Sequence, residues 1–239
     1  MIIYAYTQKG TNKAENEDRI VVGKSIIAEG EFVCEMGEGF VAVADGVGGN
    51  NAGNIASHFV ANEICQLRIF SNESFSQINN DLLELSESRI EYKGMATTLS
   101  GCYVTKERVI LFHIGNTRVY LLQNEKYLKQ LTDDDTTLNY LIKTRRIYEQ
   151  DIGRFNRKNE ITSCFGGGNK NIFNIKYQHL LQINSPLLIT SDGVHDYLTV
   201  DQIEDIIADY GIGLKTCKRF AEEAQRYGSK DDISVVLCN

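Results

Sequence analysis

Two aspartates each follow directly on a short apolar run. Residues 40–44 (FVAVA) end at Asp45-Gly46, and residues 187–191 (LLITS) end at Asp192-Gly193. Short apolar runs rich in β-branched residues are typical of buried strands, so each strand would present a carboxylate at its C-terminal end. One Asp-Gly after a strand is ordinary turn chemistry. Two of them, with further acids at strand starts, favour a functional explanation.

Further acids stand immediately before two other apolar runs. Asp231 and Asp232 precede residues 233–238, and Asp18 precedes residues 19–22. In antiparallel pairing, the end of one strand lies beside the start of its neighbour. We therefore expect Asp18, Asp231 and the two Asp-Gly carboxylates to meet at one edge of the sheet.

Four converging carboxylates indicate a metal site. They would repel one another and resist ionisation unless cations held them together. Oxygen ligands without histidine or cysteine favour Mg²⁺ or Mn²⁺, and four negative charges suit two divalent ions. Two such ions, about 3.5 to 4 Å apart, can activate a water for an in-line displacement at phosphorus. The predicted chemistry is phosphoester hydrolysis without a covalent intermediate.

The elements that would position these acids can be read from apolar periodicity. Apolar runs predict strands at residues 40–44, 97–104, 109–114, 118–122, 187–191 and 233–238. Helical spacing predicts one helical pair, over residues 56–67 and 75–85, and a second pair at about 200–209 and 214–227. The polar stretch from about 136 to 158 is expected to be a helical or irregular surface flap.

The order of these elements predicts an α+β fold. Gly115-Asn116-Thr117 separates two apolar runs, which predicts a hairpin and antiparallel pairing. Helical pairs inserted between strands favour mostly antiparallel sheets covered by helices, a layered sandwich. With one proline and no linker or repeat, residues 1–239 are expected to form a single domain.

Composition excludes several classes of protein. The 239 residues carry a net charge of −7, with 25 Lys and Arg against 32 Asp and Glu, which opposes binding to nucleic acid or to an anionic membrane surface. The six cysteines form no CxxC pair and no zinc-ligand spacing, so reduced thiols are expected. No run of 18 apolar residues and no basic leader occurs, so we expect a soluble cytoplasmic protein.

An ordered series of short motifs covers nearly the whole chain: NEDR at 16–19, ADGVGG at 44–49, GMATTL at 94–99, HIGNTRVY at 113–120, LTDD at 131–134, NEIT at 159–162, SDGVHD at 191–196 and KDDIS at 230–234. In this order they resemble the motifs of the PP2C (PPM) family of metal-dependent Ser/Thr protein phosphatases, in its bacterial form. Each motif is weak alone, and the ordered set is specific.

The resemblance implies an αββα sandwich, with two mostly antiparallel sheets face to face and helices outside. It also implies a site for two Mn²⁺ or Mg²⁺ ions. By motif position, the metal ligands would be Asp18, Asp45, the Gly46 carbonyl, Asp192 and Asp231. The four aspartates would act in catalysis through a metal-activated water.

Two neighbouring acids have other expected roles under the same resemblance. Glu17 would act through a metal-bound water. Asp232 stands where the family usually has Asn, so the ligand role is assigned to Asp231 and not to Asp232. The segment after residue 132 would be the flap that borders the substrate groove.

Three departures from the family pattern bear on activity. Lys13 occupies the place of the phosphate-binding Arg, and a lysine binds phosphate as a point charge without the bidentate fork. Asn116 replaces an aspartate that helps to hold a third metal with the equivalents of Asp192 and Asp196, so a third ion is expected to be weak or absent. Val47 stands where some members have a general-acid histidine, so the leaving oxygen is expected to take its proton from water.

The predicted function is hydrolysis of phosphoserine and phosphothreonine in proteins, acting on substrates of a cognate Ser/Thr kinase, by a monomer. Two alternatives stay open: a catalytically weak or silent phosphoprotein-binding or regulatory module, motivated by Lys13 and Asn116, and a small-molecule phosphohydrolase. His58, His113 and His195 are interpreted as structural or surface residues, and residues 133–135 (DDD) as a solvated acidic turn.

Overall fold

A computed structural model describes residues 1–47, 52–124, 126–148, 152, 155, 157, 160–180 and 185–239. The helices are α1 (Gly53–Gln66), α2 (Asn72–Ser88), α3 (Thr137–Lys143), α4 (Asp192–His195), α5 (Val200–Tyr210) and α6 (Leu214–Arg226). The first seven strands are β1 (Ile2–Gln8), β2 (Asp18–Val22), β3 (Ser25–Ile27), β4 (Gly30–Glu35), β5 (Gly39–Val47), β6 (Ala96–Thr97) and β7 (Leu99–Val104). The other seven are β8 (Val109–Ile114), β9 (Arg118–Gln123), β10 (Tyr127–Gln130), β11 (Phe165–Gly166), β12 (Lys176–Leu180), β13 (Leu187–Thr190) and β14 (Ile233–Cys238).

The strands form two antiparallel sheets. Within the described residues, one sheet has six strands in the order β10-β9-β13-β14-β1-β4. The other has eight strands: β11-β6-β5-β7-β8-β12 in line, with β2 joined to β5 and β3 to β2. Every strand pairing in the described part of the chain is antiparallel, and the sequence predicted mostly antiparallel sheets.

Three apolar layers hold the sheets and helices together. The inner layer lies between the two sheets and includes Ile3, Ile189 and Val236 from one sheet with Val41 and Leu111 from the other. Alternate residues of a strand point to opposite faces, so the outer faces are free to bind helices. The predicted αββα sandwich is confirmed.

The helices cover the outer faces because their apolar residues recur at helical spacing. On the eight-stranded sheet, Phe75 of α2 packs on Phe112, and Val60 of α1 belongs to the same apolar cluster. On the six-stranded sheet, Ile203 of α5 and Phe220 of α6 pack with Val235. None of the described helices combines the length and the apolar character that a membrane-spanning helix needs.

The expected hairpin at Gly115-Asn116-Thr117 is wrong. β8 pairs with β7 and β12 in the eight-stranded sheet, whereas β9 pairs with β10 and β13 in the six-stranded sheet. Both hydrogen-bonding sides of β8 are already occupied, so β9 has no free side on which to pair with it. The loop crosses between the sheets, with Gly115 at φ 104°, a conformation that favours glycine.

Candidate active site

Asp18 and Asp45 lie directly opposite each other on neighbouring strands. They are Cα partners in the antiparallel register of β2 and β5. Side chains at such positions lie on the same face with Cβ atoms about 4.5–5.5 Å apart. The Thr98 hydroxyl accepts a hydrogen bond of 3.0 Å from the Asp45 N–H, which holds the end of β5 in place.

Asp192 and Asp231 form a second pair. Asp192 begins α4 just after β13, and Asp231 lies two residues before β14. The residue after β13 also bonds to β14, because the Ser191 N–H donates to the Ser234 carbonyl (3.0 Å) and the Ser191 hydroxyl accepts from the Ser234 N–H (2.9 Å). The two acids therefore stand at the same end of the six-stranded sheet.

The two pairs come together between the sheets. The Asp45 and Asp192 carboxyls lie near enough for the charge of Asp192 to raise the pKa of Asp45. Asp18 is buried beside the hydroxyls of Ser191 and Ser234. The expectation that the acids share one edge of a single sheet is wrong, because β2 and β5 belong to one sheet and β13 and β14 to the other.

Burial makes these carboxylates hard to ionise. Burial, and then the charge of Asp232, raises the pKa of Asp18 to about 8, although the Ser191 and Ser234 hydroxyls partly oppose the rise. Burial, followed by Asp231 and Asp196, raises the pKa of Asp192 to about 7. The pKa of Asp45 is raised well above its usual value by burial and by Asp192. Positive charge placed among these three acids would lower their pKa values and favour the ionised forms.

The residues present fit a pair of hard divalent ions. Both carboxylate oxygens of Asp18 are buried and have no hydrogen-bond partner at bonding distance among the described residues. Such groups normally find a partner or a metal ion. In the described parts of the chain, no three histidine, cysteine, aspartate or glutamate side chains are already placed to hold one metal ion between them.

Lys13, the expected phosphate-binding residue, contacts acids instead. Its ammonium lies 2.6 Å from Glu17 Oε2, 3.1 Å from Asp231 Oδ1 and 3.9 Å from Asp232 Oδ2. Burial would lower the pKa of Lys13, but Glu17 and Asp231 raise it above its usual value, so the side chain is charged. Lys13 therefore balances part of the negative charge of the site.

Asp232 ties the loop after β1 to the start of β14. Its carboxylate accepts hydrogen bonds from the backbone N–H of Gly10 (2.7 Å) and of Glu17 (2.8 Å). Both of its oxygens are thus engaged with backbone, whereas the Asp231 carboxylate is partly exposed. The Asp231 carboxylate is therefore more available to an ion than that of Asp232, and its role as a metal ligand stays a prediction.

Gly46 packs more tightly than any other residue type could. An added Cβ would lie 2.4 Å from the Gly53 carbonyl of α1 and 2.7 Å from the Glu17 carbonyl. The Gly46 N–H donates to the Glu17 carbonyl at 3.2 Å, so β5, the loop before β2 and the start of α1 meet here. Gly48 and Gly49 of the same motif lie outside the described residues.

Asn116 lies where the third ion was predicted to be weak. Its Nδ2 donates to Asp192 Oδ2 at 2.9 Å, and its buried Oδ1 has no hydrogen-bond partner in the described part of the chain. Asn116 and the exposed Asp196 line a cavity of about 350 Å³. The α3 residues Leu138, Asn139 and Ile142 also line this cavity, so described residues of the predicted flap lie beside Asn116.

Sequence reasoning missed several residues around the acids. The hydroxyls beside Asp18 belong to Ser191 and Ser234, and buried serines at strand ends next to aspartates would have been the signal for them. The acidic turn is only partly solvated: Asp133 is exposed, whereas Asp134 accepts two-point hydrogen bonds from Arg118. Asp135 pairs with Lys176.

The three histidines discussed above lie as structural or surface residues do. His113 is buried, with Nδ1 bonded to Ser100 Oγ (2.7 Å) and Nε2 to the Asp133 carbonyl (2.8 Å). His195 is buried with Nδ1 bonded to the Thr190 hydroxyl (2.8 Å), and His58 is exposed.

Comparison with known proteins gives a consistent result. The family model described as protein phosphatase 2C matches residues 31–224. The serine/threonine phosphatase stp of Listeria welshimeri is 27% identical over 247 residues, covering 97% of this chain and 92% of that protein. The protein phosphatase PhpP of Streptococcus pneumoniae serotype 2 is 28% identical over 252 residues, covering 99% and 96%.

The fold also matches a solved structure. The serine/threonine phosphatase PstP of Mycobacterium tuberculosis superposes with a TM-score of 0.81 at 24% identity, covering 99% of this chain and 98% of that one. A further structure, of the PstP catalytic domain, contains two manganese ions.

Proposed function

Because this chain belongs to the protein phosphatase 2C family and is a metal-dependent serine/threonine phosphatase, we propose that Asp18, Asp45, Asp192 and Asp231, with the Gly46 carbonyl, hold its divalent ions. The observation that carries this assignment is the meeting of the Asp18–Asp45 pair with Asp192, where buried oxygens lack partners and the acid pKa values are raised. Mn²⁺ or Mg²⁺ suits these oxygen donors.

When bound, the two ions supply the positive charge that activates a water and neutralises the phosphoryl oxygens. The side chains of this protein hold and orient the reacting groups. Asn116 holds Asp192 through its amide. Glu17, at the rim, is proposed to act through a water, and Lys13 to bind the substrate phosphate.

The thiols offer no alternative nucleophile among the described residues. Burial raises the pKa of Cys102, Cys164 and Cys217 to about 12, and it also raises the pKa values of Cys34, Cys65 and Cys238. A thiol is nucleophilic as its thiolate, and these thiols stay protonated near neutral pH. Direct transfer of the phosphoryl group to water, without a phosphocysteine, is consistent with this arrangement.

The substrates are phosphoproteins, and we infer that they are products of a cognate Ser/Thr kinase. The cavity beside α3 would receive residues flanking the phosphorylated side chain. We also propose that residues 1–239 form one domain and that the protein is a monomer in the cytoplasm. The pairing of β1 with β14 supports the single domain, because it joins the two ends of the chain in one sheet.

The test is hydrolysis of an aryl phosphate, then of phosphoserine and phosphothreonine peptides, with and without added Mn²⁺. We expect metal-dependent activity that Asp45→Asn and Asp192→Asn abolish and that Asp209→Asn, an exposed change on α5, leaves intact. Activity that survives both active-site changes would refute the ligand assignment. Activity on the aryl phosphate alone would favour a small-molecule substrate. The silent-module alternative is not favoured, because the curated relatives are named phosphatases.

A further inference from the structure

The loop between β1 and β2 places a lysine among the metal-binding acids. Lys13 extends from a turn in which its N–H donates to the Gly10 carbonyl (3.2 Å). Its ammonium contacts Glu17 and Asp231 within 3.1 Å and lies 3.9 Å from Asp232. The side chain is one-third exposed, so it has room to move outward without opening the core.

We propose that the Lys13 ammonium is a tethered cation that competes with divalent ions for Asp231, and that ion binding releases it to bind the substrate phosphate. The inference rests on the proposed function, because it takes Asp231 as a metal ligand. Before the ions bind, Lys13 pairs with the carboxylates. After they bind, it pairs with the substrate phosphate.

The charges around Lys13 support this competition. Asp231 is the most exposed of the four proposed ligands, and Lys13 is the cation that reaches it among the described ion pairs. A carboxylate oxygen bonded to an ammonium is less available to a metal ion, and the attraction between them must be given up first. Asp232 adds a further negative charge near Lys13.

The choice of lysine is consistent with an exchange of partners. An ammonium is a compact charge on a flexible stem with three rotatable donors, whereas a guanidinium holds its partners in a fixed two-point geometry. Lys13 can therefore contact carboxylates on several sides and turn toward a phosphate with little reorganisation.

The proposal predicts a measurable coupling between ion binding and phosphate binding. If ion binding frees Lys13 for phosphate, then a phosphate group must tighten ion binding by the same factor as the ion tightens phosphate binding. Removing the ammonium should strengthen ion binding in the absence of phosphate and weaken this coupling.

The experiment measures Mn²⁺ affinity by calorimetry and by the electron paramagnetic resonance signal of free Mn²⁺, with and without phenylphosphonate, a non-hydrolysable mimic of a phosphate monoester. The variants are Lys13→Gln, Lys13→Arg and the control Lys106→Gln. Lys106 pairs with Glu38 next to the start of β5, at the opposite end of that strand from Asp45, so its loss removes the same charge far from the site.

We expect Lys13→Gln to bind Mn²⁺ about two- to fivefold more tightly than the natural protein when phosphonate is absent, the range for one partly exposed ion pair. Phenylphosphonate should tighten Mn²⁺ binding in the natural protein, in Lys13→Arg and in Lys106→Gln, and much less in Lys13→Gln. Urea unfolding of each variant checks that the fold is kept.

Unchanged or weaker Mn²⁺ affinity in folded Lys13→Gln, with coupling to phosphonate retained, would overturn the inference and leave the proposed function standing. Failure of the natural protein to bind Mn²⁺ at all would overturn the proposed metal site and this inference together.

Discussion

At the scale of single residues, the site is defined by carboxylates that the fold cannot satisfy alone. Asp18 is buried with no partner at bonding distance for its two oxygens among the described residues, and burial raises the pKa values of Asp45 and Asp192. Bound cations would give the Asp18 oxygens a partner and would favour the ionised forms of Asp45 and Asp192. Two residues depart from the family pattern here: Lys13 brings a positive charge to the rim, and the buried Asn116 is neutral where the family has an aspartate.

Replacing Lys13 with arginine tests its expected contact with substrate. An arginine offers two parallel donors to a phosphate, so Lys13→Arg should lower KM for a phosphopeptide, by about three- to tenfold, with a smaller effect on kcat. Steady-state kinetics at saturating Mn²⁺ measures both constants. An unchanged KM would remove the idea that lysine weakens substrate binding.

Replacing Asn116 with aspartate tests the third ion. The amide of Asn116 can coordinate an ion but brings no charge, whereas an aspartate would add a negative ligand beside Asp192 and Asp196. We expect Asn116→Asp to raise kcat at subsaturating Mn²⁺ and Asn116→Ala to lower it. Equal kcat values for Asn116→Asp and the natural protein would count against a role for charge at this position.

At the scale of elements, close backbone contacts keep the strands that carry the acids in register. Gly46 packs against α1, and Gly193, directly after Asp192, packs against the segment before β14. These contacts explain why Asp-Gly recurs: the aspartate supplies the carboxylate, and the glycine lets a neighbouring backbone approach.

Gly193→Ala should therefore destabilise the fold and disturb the site. A Cβ at this position would lie 2.0 Å from the Asp232 carbonyl oxygen, so β14 or α4 must shift. Overpacking of this kind costs about 1–3 kcal/mol, which urea unfolding measures. Gly37→Ala, an exposed change in the loop before β5, is the matched control, because nothing lies within 4 Å of its added Cβ, and its stability should change by less than about 0.5 kcal/mol. A stable Gly193→Ala protein would show that the backbone has room to relax here.

At the scale of the whole molecule, the site exists only where the two sheets meet. Asp18 and Asp45 come from the eight-stranded sheet, and Asp192 and Asp231 flank strands of the six-stranded sheet. Ion binding should consequently link the sheets and stabilise the whole sandwich. The same packing buries histidines, so stability should also depend on pH.

His113 makes that dependence testable. Burial lowers its pKa, although Asp135, the Asp133 carbonyl and Asp134 oppose the shift and Lys176 adds to it. Below about pH 6.5 the unfolded histidine binds a proton that the folded one does not, so unfolding becomes easier as the pH falls. The raised pKa values of the site aspartates have the opposite effect, because they make the folded state more stable as the pH falls. Each variant is therefore compared with the natural protein at the same pH.

Between about pH 7 and pH 5.5, we expect the free energy of unfolding to fall less in His113→Gln than in the natural protein. The difference between the two slopes is at most about 1.4 kcal/mol per pH unit, the value for one proton. His58→Gln, an exposed change, should follow the natural protein. Urea unfolding at each pH supplies the values. Parallel pH profiles for His113→Gln and the natural protein would contradict the proton-linked role of His113.

Local residue patterns were sufficient for much of this structure. Apolar periodicity located α1, α2, α5 and α6 and the strands that carry the acids, because helix and strand periods follow from backbone geometry alone. It missed several edge or short strands, namely β3, β4, β10, β11 and β12, and also β1. Edge and short strands bury less of their surface, so their apolar alternation is weak or brief.

The pairing of strands and the contacts of the site depended on the three-dimensional fold. Which sheet β9 joins is decided by which strand sides remain free, and this cannot be read from Gly115-Asn116-Thr117. The acid residues and their order were evident in the chain. That Asp18 and Asp45 face Asp192 across two sheets, and that Lys13 lies against Asp231, follows from packing between segments far apart in sequence.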